Sequence, residues 1–195
     1  MLHFIGFYDY TVILTYASLV SAFLGMHFAH HGCFGASILC LMACGICDAF
    51  DGTVARSKKN RTDDERSFGI QLDSLCDVIS FGIFPAFICY CMGMSKVPGV
   101  VLCLLYCICA VIRLAFFNVL EITRQQTEGG TNKYYRGLPV TCISILFPLL
   151  FLLTFVMSEA NFLIVIHFML AITAFLFIFD FKIKKPDITK LFSKK

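Results

Sequence analysis

Two short stretches carry paired carboxylates at helical spacing. The run Cys47-Asp48-Ala49-Phe50-Asp51-Gly52-Thr53-Val54-Ala55-Arg56 sets two acids three residues apart, and Phe68-Gly69-Ile70-Gln71-Leu72-Asp73-Ser74-Leu75-Cys76-Asp77 sets two more four apart. Residues three or four apart share one face of a helix, so each pair occupies one small volume. Both stretches adjoin strongly apolar runs, where a carboxylate costs at least about 2.5 kcal/mol at bilayer depth, and four together also repel. A cation must compensate them. All-oxygen ligation suits a hard ion such as Mg2+ or Mn2+, with substrate phosphate oxygens completing its shell, and two such ions are compatible with four carboxylates. Asp48, Asp51, Asp73 and Asp77 are therefore the candidate ligands. A plainer reading, helix capping or surface pairing with Arg56, Lys58 and Lys59, serves for one aspartate but poorly for two matched pairs.

The flanking residues fit the same chemistry. Gly52, beside Asp51, lets a bulky diphosphate approach the backbone. Ala55 keeps the next turn narrow, and Arg56 offers a planar fork for phosphate oxygens. Gly69, four residues before Asp73, leaves room for close helix approach.

The elements that must hold these groups are membrane helices. The chain has 195 residues, 58% of them hydrophobic and only 15% charged, against about 25% charged in soluble domains. Its apolar stretches approach the roughly 20 residues that cross a bilayer as a helix, and no strand-like alternation is evident. Six spans are expected near 10–28, 35–55, 70–93, 97–120, 138–157 and 162–180, as one domain over 1–195. The first apolar run has no basic region before it and is followed by more like it, so it reads as a span rather than a cleaved leader.

Charge placement agrees with six spans. Arg56, Lys58, Lys59, Arg61 and Arg66 follow span two, Arg124, Lys133 and Arg136 follow span four, and Lys182, Lys184, Lys185, Lys190, Lys194 and Lys195 follow span six, whereas the opposite loops hold only Lys96. The positive-inside rule then puts both termini and the carboxylates in the cytoplasm. Gly129 and Gly130 suggest a mobile loop before span five.

Most of the eleven cysteines lie inside apolar runs and read as small packing residues. His27, His30 and His31 fall on the side opposite the aspartates and read as solvated at the interface. Arg113, inside span four, must face a polar cavity or a partner. It either snorkels or pairs with Glu121, or joins Asn118 and Arg136 in binding a small anionic ligand.

The eight residues Asp48, Asp51, Gly52, Ala55, Arg56, Gly69, Asp73 and Asp77 fill every fixed position of the signature Asp-x-x-Asp-Gly-x-x-Ala-Arg, spacer, Gly-x-x-x-Asp-x-x-x-Asp. The chain thus resembles the CDP-alcohol phosphotransferase family. Within it the resemblance is greatest to the CDP-diacylglycerol-dependent phosphatidylserine synthase branch. It runs through Leu72-Asp73-Ser74-Leu75-Cys76-Asp77, Ile79-Ser80-Phe81-Gly82, Pro85-Ala86, Arg113-Leu114-Ala115-Phe116-Phe117-Asn118 and Tyr135-Arg136-Gly137-Leu138-Pro139. Two departures stand out: the spacer between Arg56 and Gly69 is longer than the family's usual one, and Phe116 stands where that branch often has arginine.

The resemblance implies an all-α membrane enzyme of phospholipid biosynthesis, with six spans and a homodimeric assembly. It would transfer the phosphatidyl group of CDP-diacylglycerol to L-serine and release CMP. It implies metal binding by Asp48, Asp51, Asp73 and Asp77, with Asp77 also the proton acceptor, and CDP-lipid contacts from Asp48, Gly52, Arg56 and Ser67, the last in the lengthened loop. A bacterial cell membrane is the expected location, and no nucleic acid is expected as partner. Two alternatives remain: the same chemistry with inositol phosphate or glycerol phosphate as acceptor, and a divalent-cation transporter.

Overall fold

The computed structural model of the chain describes residues 6–58, 62–126 and 134–184; the side chains at 55, 56, 121, 124–126, 134–136 and 182–184 lie outside the described set. After a 3-10 turn at Tyr10–Val12, helix α1 spans Ile13–His30 and α2 spans Phe34–Ser57. Helix α3, Asp63–Asp77, continues through a π-helical turn, Val78–Ile83, into α4, Phe84–Cys91. Helix α5 covers Val97–Gln126, α6 covers Ile143–Phe151 between 3-10 turns Val140–Cys142 and Leu152–Phe155, and α7 covers Glu159–Ile178.

Five of these units are long and apolar enough to cross a membrane, namely Tyr10–His30, Phe34–Val54, Asp63–Cys91, Val97–Leu120 and Glu159–Ile178, and a shorter apolar unit covers Val140–Phe155. The protein is thus an integral membrane protein whose membrane part is all-helical, and its six helical units fit the expected spans. The fifth is broken rather than continuous. Pro148 lies inside α6 and has no N–H for the carbonyl four residues back, and the helix gives way to a 3-10 turn at Leu152.

Small residues set the packing. The buried residues of α1, Thr15, Ser18, Ala22, Gly25 and Ala29, recur every three or four positions and form a narrow stripe. Between helices in lipid, close backbone approach and hydrogen bonds replace the hydrophobic drive, at about 0.6 kcal/mol for an average bond. Ser37 Oγ donates to Gly25 O (2.8 Å), Ser21 Oγ to Cys40 O (3.0 Å) and Cys44 Sγ to Ser18 O (3.3 Å), pinning α2 along α1. A Cβ on Gly25 would sit 2.1 Å from Phe84 Cζ, so α4 packs into the space that this glycine leaves.

Helix α3 starts earlier than span three was expected to. Thr62 accepts from Glu65 N while Glu65 accepts from Thr62 N, a capping box, and Asp63, Asp64 and Glu65 suit the positive helix end. Most of the lengthened spacer is therefore helical, and Ser67, expected in a loop, lies exposed on α3. Helix α5 is also longer than expected: its 30 residues reach about 45 Å at 1.5 Å per residue, beyond the roughly 30 Å hydrocarbon layer.

One element was not anticipated. Strand β1, Tyr134–Arg136, pairs antiparallel with β2, Lys182–Lys184, in the register Tyr134↔Lys184, Tyr135↔Ile183, Arg136↔Lys182. Gly137 N donates to Phe181 O (2.7 Å), so the chain leaving α7 is tied back to the segment that precedes α6. By connectivity this ribbon lies at the same end of the bundle as the α2–α3 connection. Gly129 and Gly130 lie outside the described residues.

Candidate active site

The C-terminal part of α2 carries Asp48 and Asp51, and α3 carries Asp73 and Asp77. Carboxylate oxygens of Asp48, Asp73 and Asp77 all lie within 4.8 Å of one another. Asp77 is buried, at 8% exposure, while Asp48, Asp51 and Asp73 are half-buried. Asp51 stands within hydrogen-bonding reach of Asp73, and all four carboxylates are in electrostatic contact. The four acids singled out by spacing are thus gathered into one cluster, with three forming its tightest part.

Asp73 Oδ1 is fully buried and has no hydrogen-bond partner. A buried anionic oxygen left without a donor is costly, and a cation at that point removes the cost. The donor set is carboxylate oxygen alone among the clustered residues, which suits Mg2+ or Mn2+ and not a thiolate-seeking ion. The residues present fit a divalent hard cation.

Gly52 is half-buried directly after Asp51. The side chain of Arg56 lies outside the described residues, as does that of Arg136. Asn118 Oδ1 accepts from Ser74 Oγ at 2.8 Å, so α5 is attached to the residue beside Asp73. Arg113 is buried, and its Nε donates to Leu138 O at 3.1 Å. It lines a cavity of about 280 Å3 together with Phe116, Gly137, Phe177, Phe179 and Asp180. Asp180 had no role in the sequence reading; it comes into play only because α7 ends beside α5. His27, His30 and His31 are exposed, with ring centroids 4.5 Å apart for His27 and His31.

The N-terminal segment braces the spacer between the two acidic helices. Lys58 Nζ binds Asp9 Oδ2 (2.8 Å) and Glu65 Oε1 (3.0 Å), and Tyr10 Oη meets Ser57 Oγ at 3.2 Å. Phe7 packs edge-on against Phe68 with centroids 5.5 Å apart. The Lys58 ammonium, helped by donors from Thr11, holds the Asp9 carboxyl down to about 2, and its two carboxylate partners raise Lys58. The pairing of Asp9 with Lys58 is not legible in the sequence, because it spans 49 positions.

Helices that span a bilayer and converge four carboxylates at one end define an integral membrane protein with an acidic candidate metal centre. The chain belongs to the CDP-alcohol phosphatidyltransferase family, whose sequence model it matches over residues 10–179. It is 33% identical over 127 residues to the CDP-diacylglycerol–serine O-phosphatidyltransferase of Mycobacterium tuberculosis, covering 65% of this chain and 43% of that protein. It is 38% identical over 98 residues to the Saccharomyces cerevisiae protein of the same name, covering 49% of this chain and 34% of that one. It is 31% identical over 134 residues to the archaetidylserine synthase of Methanothermobacter thermautotrophicus, covering 68% of this chain and 53% of that protein. The chain thus spans about two fifths of the mycobacterial protein's length and about half of the archaeal one's.

Proposed function

We propose that this chain catalyses transfer of the phosphatidyl group of CDP-diacylglycerol to the hydroxyl of L-serine, giving phosphatidylserine and CMP. The observation that carries this reading is the convergence of Asp48, Asp73 and Asp77 within 4.8 Å at one end of the bundle, together with relatives named for that reaction. Residues 1–195 act as one domain. The cluster faces the cytoplasm, as the basic residues around it support, and by family resemblance the chain works as a homodimer in a bacterial cell membrane.

In this reading Asp48, Asp51, Asp73 and Asp77 hold Mg2+ or Mn2+, as two ions. A divalent ion bound there offsets negative charge on the diphosphate as it is attacked. Gly52, lacking a side chain, lets the diphosphate lie against the α2 backbone, Arg56 pairs with its oxygens, and Asp48 also contacts the CDP-lipid. Ser67 contributes from the exposed start of α3. Asp77 takes the serine hydroxyl proton onto a carboxylate oxygen as the new O–P bond forms and the bond to CMP breaks. A positioned base of this kind contributes about 10²–10⁴-fold. The acyl chains stay among lipids beside the apolar helix faces.

Arg113, Asn118 and Arg136 bind the acceptor. The Arg113 cavity brings in Asp180 as well, giving one charge of each sign and aromatic walls. A free amino acid presents a carboxylate and an ammonium, whereas inositol phosphate and glycerol phosphate have no ammonium, so this pairing favours serine. Along α5, Arg113 and Asn118 are separated by about 7.5 Å of axial rise.

The test is CMP release by purified protein from CDP-diacylglycerol with serine, inositol phosphate or glycerol phosphate, with and without chelator. Serine-dependent, chelator-sensitive release supports the reading. Release with another acceptor keeps the chemistry and removes serine; absence of release in folded protein removes the enzyme reading.

A further inference from the structure

We infer that the π-helical turn Val78–Ile83 sets the direction in which Asp77 and Asp73 point, and that Tyr106 is the positioning residue that holds this turn. The inference rests on the reading of Asp77 as proton acceptor at the carboxylate cluster.

The turn has a cause in the sequence. Pro85 has no N–H, so the carbonyl of Phe81, four residues earlier, loses its α-helical donor and is crowded by the ring. The helix widens just before it: Phe84 N–H bonds to Ile79 O, five residues back. One extra residue in a helix shifts the phase of everything beyond it by about 100°. The far side of the turn is fixed by packing, because Phe84 fills the space over Gly25 and Ile88 is fully buried. The near side carries Asp73 and Asp77. A continuous α-helix anchored on Phe84 and Ile88 would therefore present both carboxylates about 100° away from Asp48.

The carbonyls around the break are served from outside. On α5, Cys103, Tyr106 and Cys107 share one face. Tyr106 Oη donates to Phe81 O at 2.7 Å, Cys107 Sγ to Gly82 O at 3.6 Å and Cys103 Sγ to Ala86 O at 3.6 Å. Tyr106, Ser80 and Phe81 are fully buried. From the other side Ser18 Oγ meets Ser80 Oγ at 3.1 Å, and Cys44 Sγ reaches Ser18 O. Ser80 lies three residues after Asp77 and Cys44 four before Asp48, so this polar layer sits one helical turn beneath the cluster and ties together the helices that carry it. With Pro85 in place an ordinary helix would still leave Phe81 O without a donor; what the turn changes is where Asp77 points.

Two variants test this. Tyr106→Phe keeps the ring and removes the hydroxyl; Pro85→Ala restores an N–H beneath Phe81 O. We expect Pro85→Ala to melt no lower than wild type yet to lose at least about tenfold in kcat, because a displacement of about 1 Å in a reacting group costs on that scale or more. KM for CDP-diacylglycerol stays within about twofold, and affinity for Mn2+, read by its electron paramagnetic resonance signal without substrate, falls. Tyr106→Phe loses kcat beyond any loss of folded protein, and its melting penalty shrinks when Pro85→Ala is also present. Wild-type kcat and Mn2+ affinity in Pro85→Ala overturn the proposal, as does activity in Tyr106→Phe that merely tracks the folded fraction. If wild type releases no CMP, the enzyme reading fails, and Mn2+ affinity decides the positioning role alone: unchanged affinity in both variants overturns it. Should Pro85→Ala not fold, Tyr106→Phe decides by the same two comparisons.

Discussion

Replacing Asp73 with asparagine should raise the stability of the metal-free protein while removing its response to metal. Carboxylate oxygens of Asp73, Asp48 and Asp77 lie within 4.8 Å of one another. At that separation two ionised groups repel by about 3.5 kcal/mol at an effective dielectric constant of 20. Asparagine removes Asp73 from two such pairs and offers an amide to its neighbours. Asp73 Oδ1 has no partner at present, a defect worth about 1–3 kcal/mol by itself. Protons shared within the cluster reduce the repulsion, so a net gain of about 2 kcal/mol is expected, or about 4–8 °C for a chain of this size. The assay is thermal unfolding in detergent, in chelator and across a Mn2+ titration. Wild type gains about 2.7 kcal/mol when Mn2+ reaches a hundred times its dissociation constant, so the advantage of Asp73→Asn disappears or reverses there. The reasoning is refuted if Asp73→Asn melts below wild type in chelator and wild type does not respond to metal.

Three further outcomes follow from the packing and the charges. Arg113→Lys, which cannot reproduce a planar fork, should raise the serine KM more than it changes Mn2+ affinity, and Asp180→Asn should do the same; equal effects on both would remove the acceptor cavity. Lys58→Met should lower the melting temperature slightly at pH 7, because it breaks the pairs with Asp9 and Glu65. Asp9 is held at about 2 in the fold against 3.8 when free, so its share of this stabilisation is complete above about pH 5 and is lost as pH falls through 3.8 toward 2; a penalty that persists at pH 2 contradicts it. Gly45→Ala should destabilise by about 1–3 kcal/mol, since a Cβ there would lie 2.1 Å from Ser144 Oγ and 2.7 Å from its Cβ. Adding Ser144→Gly should restore much of the loss, measured by melting.

The acidic pairs were legible because their information is local. Spacings of three and four fix a helix face, and no partner from elsewhere is needed to see that four carboxylates converge. The spans were legible for the same reason, with boundaries moved by signals that hydropathy overlooks. Thr62 and Glu65 make a capping box that starts α3 at Asp63, which moved Ser67 from loop to helix. Pro148 signals a break in span five, but hydropathy alone runs through it as one apolar stretch. Pro85 likewise foretold a missing donor at Phe81, but the π turn depends on Tyr106 arriving from α5, and such a meeting is not written in local pattern. The cysteines read as packing residues do pack, while Cys103 and Cys107 also lend weak donors to the carbonyls of Ala86 and Gly82 near the π turn. Arg113 was recognised as needing a partner; that Leu138 O and the Asp180 cavity would provide its setting required the fold of α7 against α5. The β1–β2 ribbon is three residues per strand, too short to register as alternation.

The most direct test of the account is transfer of labelled serine into lipid by purified protein supplied with CDP-diacylglycerol and Mn2+, wild type beside Asp77→Asn at equal folded yield. The account predicts labelled phosphatidylserine from wild type, its loss in chelator, and a fall of at least about 10²-fold in Asp77→Asn. Transfer by Asp77→Asn at the wild-type rate, or no transfer of serine by folded wild type, would contradict it.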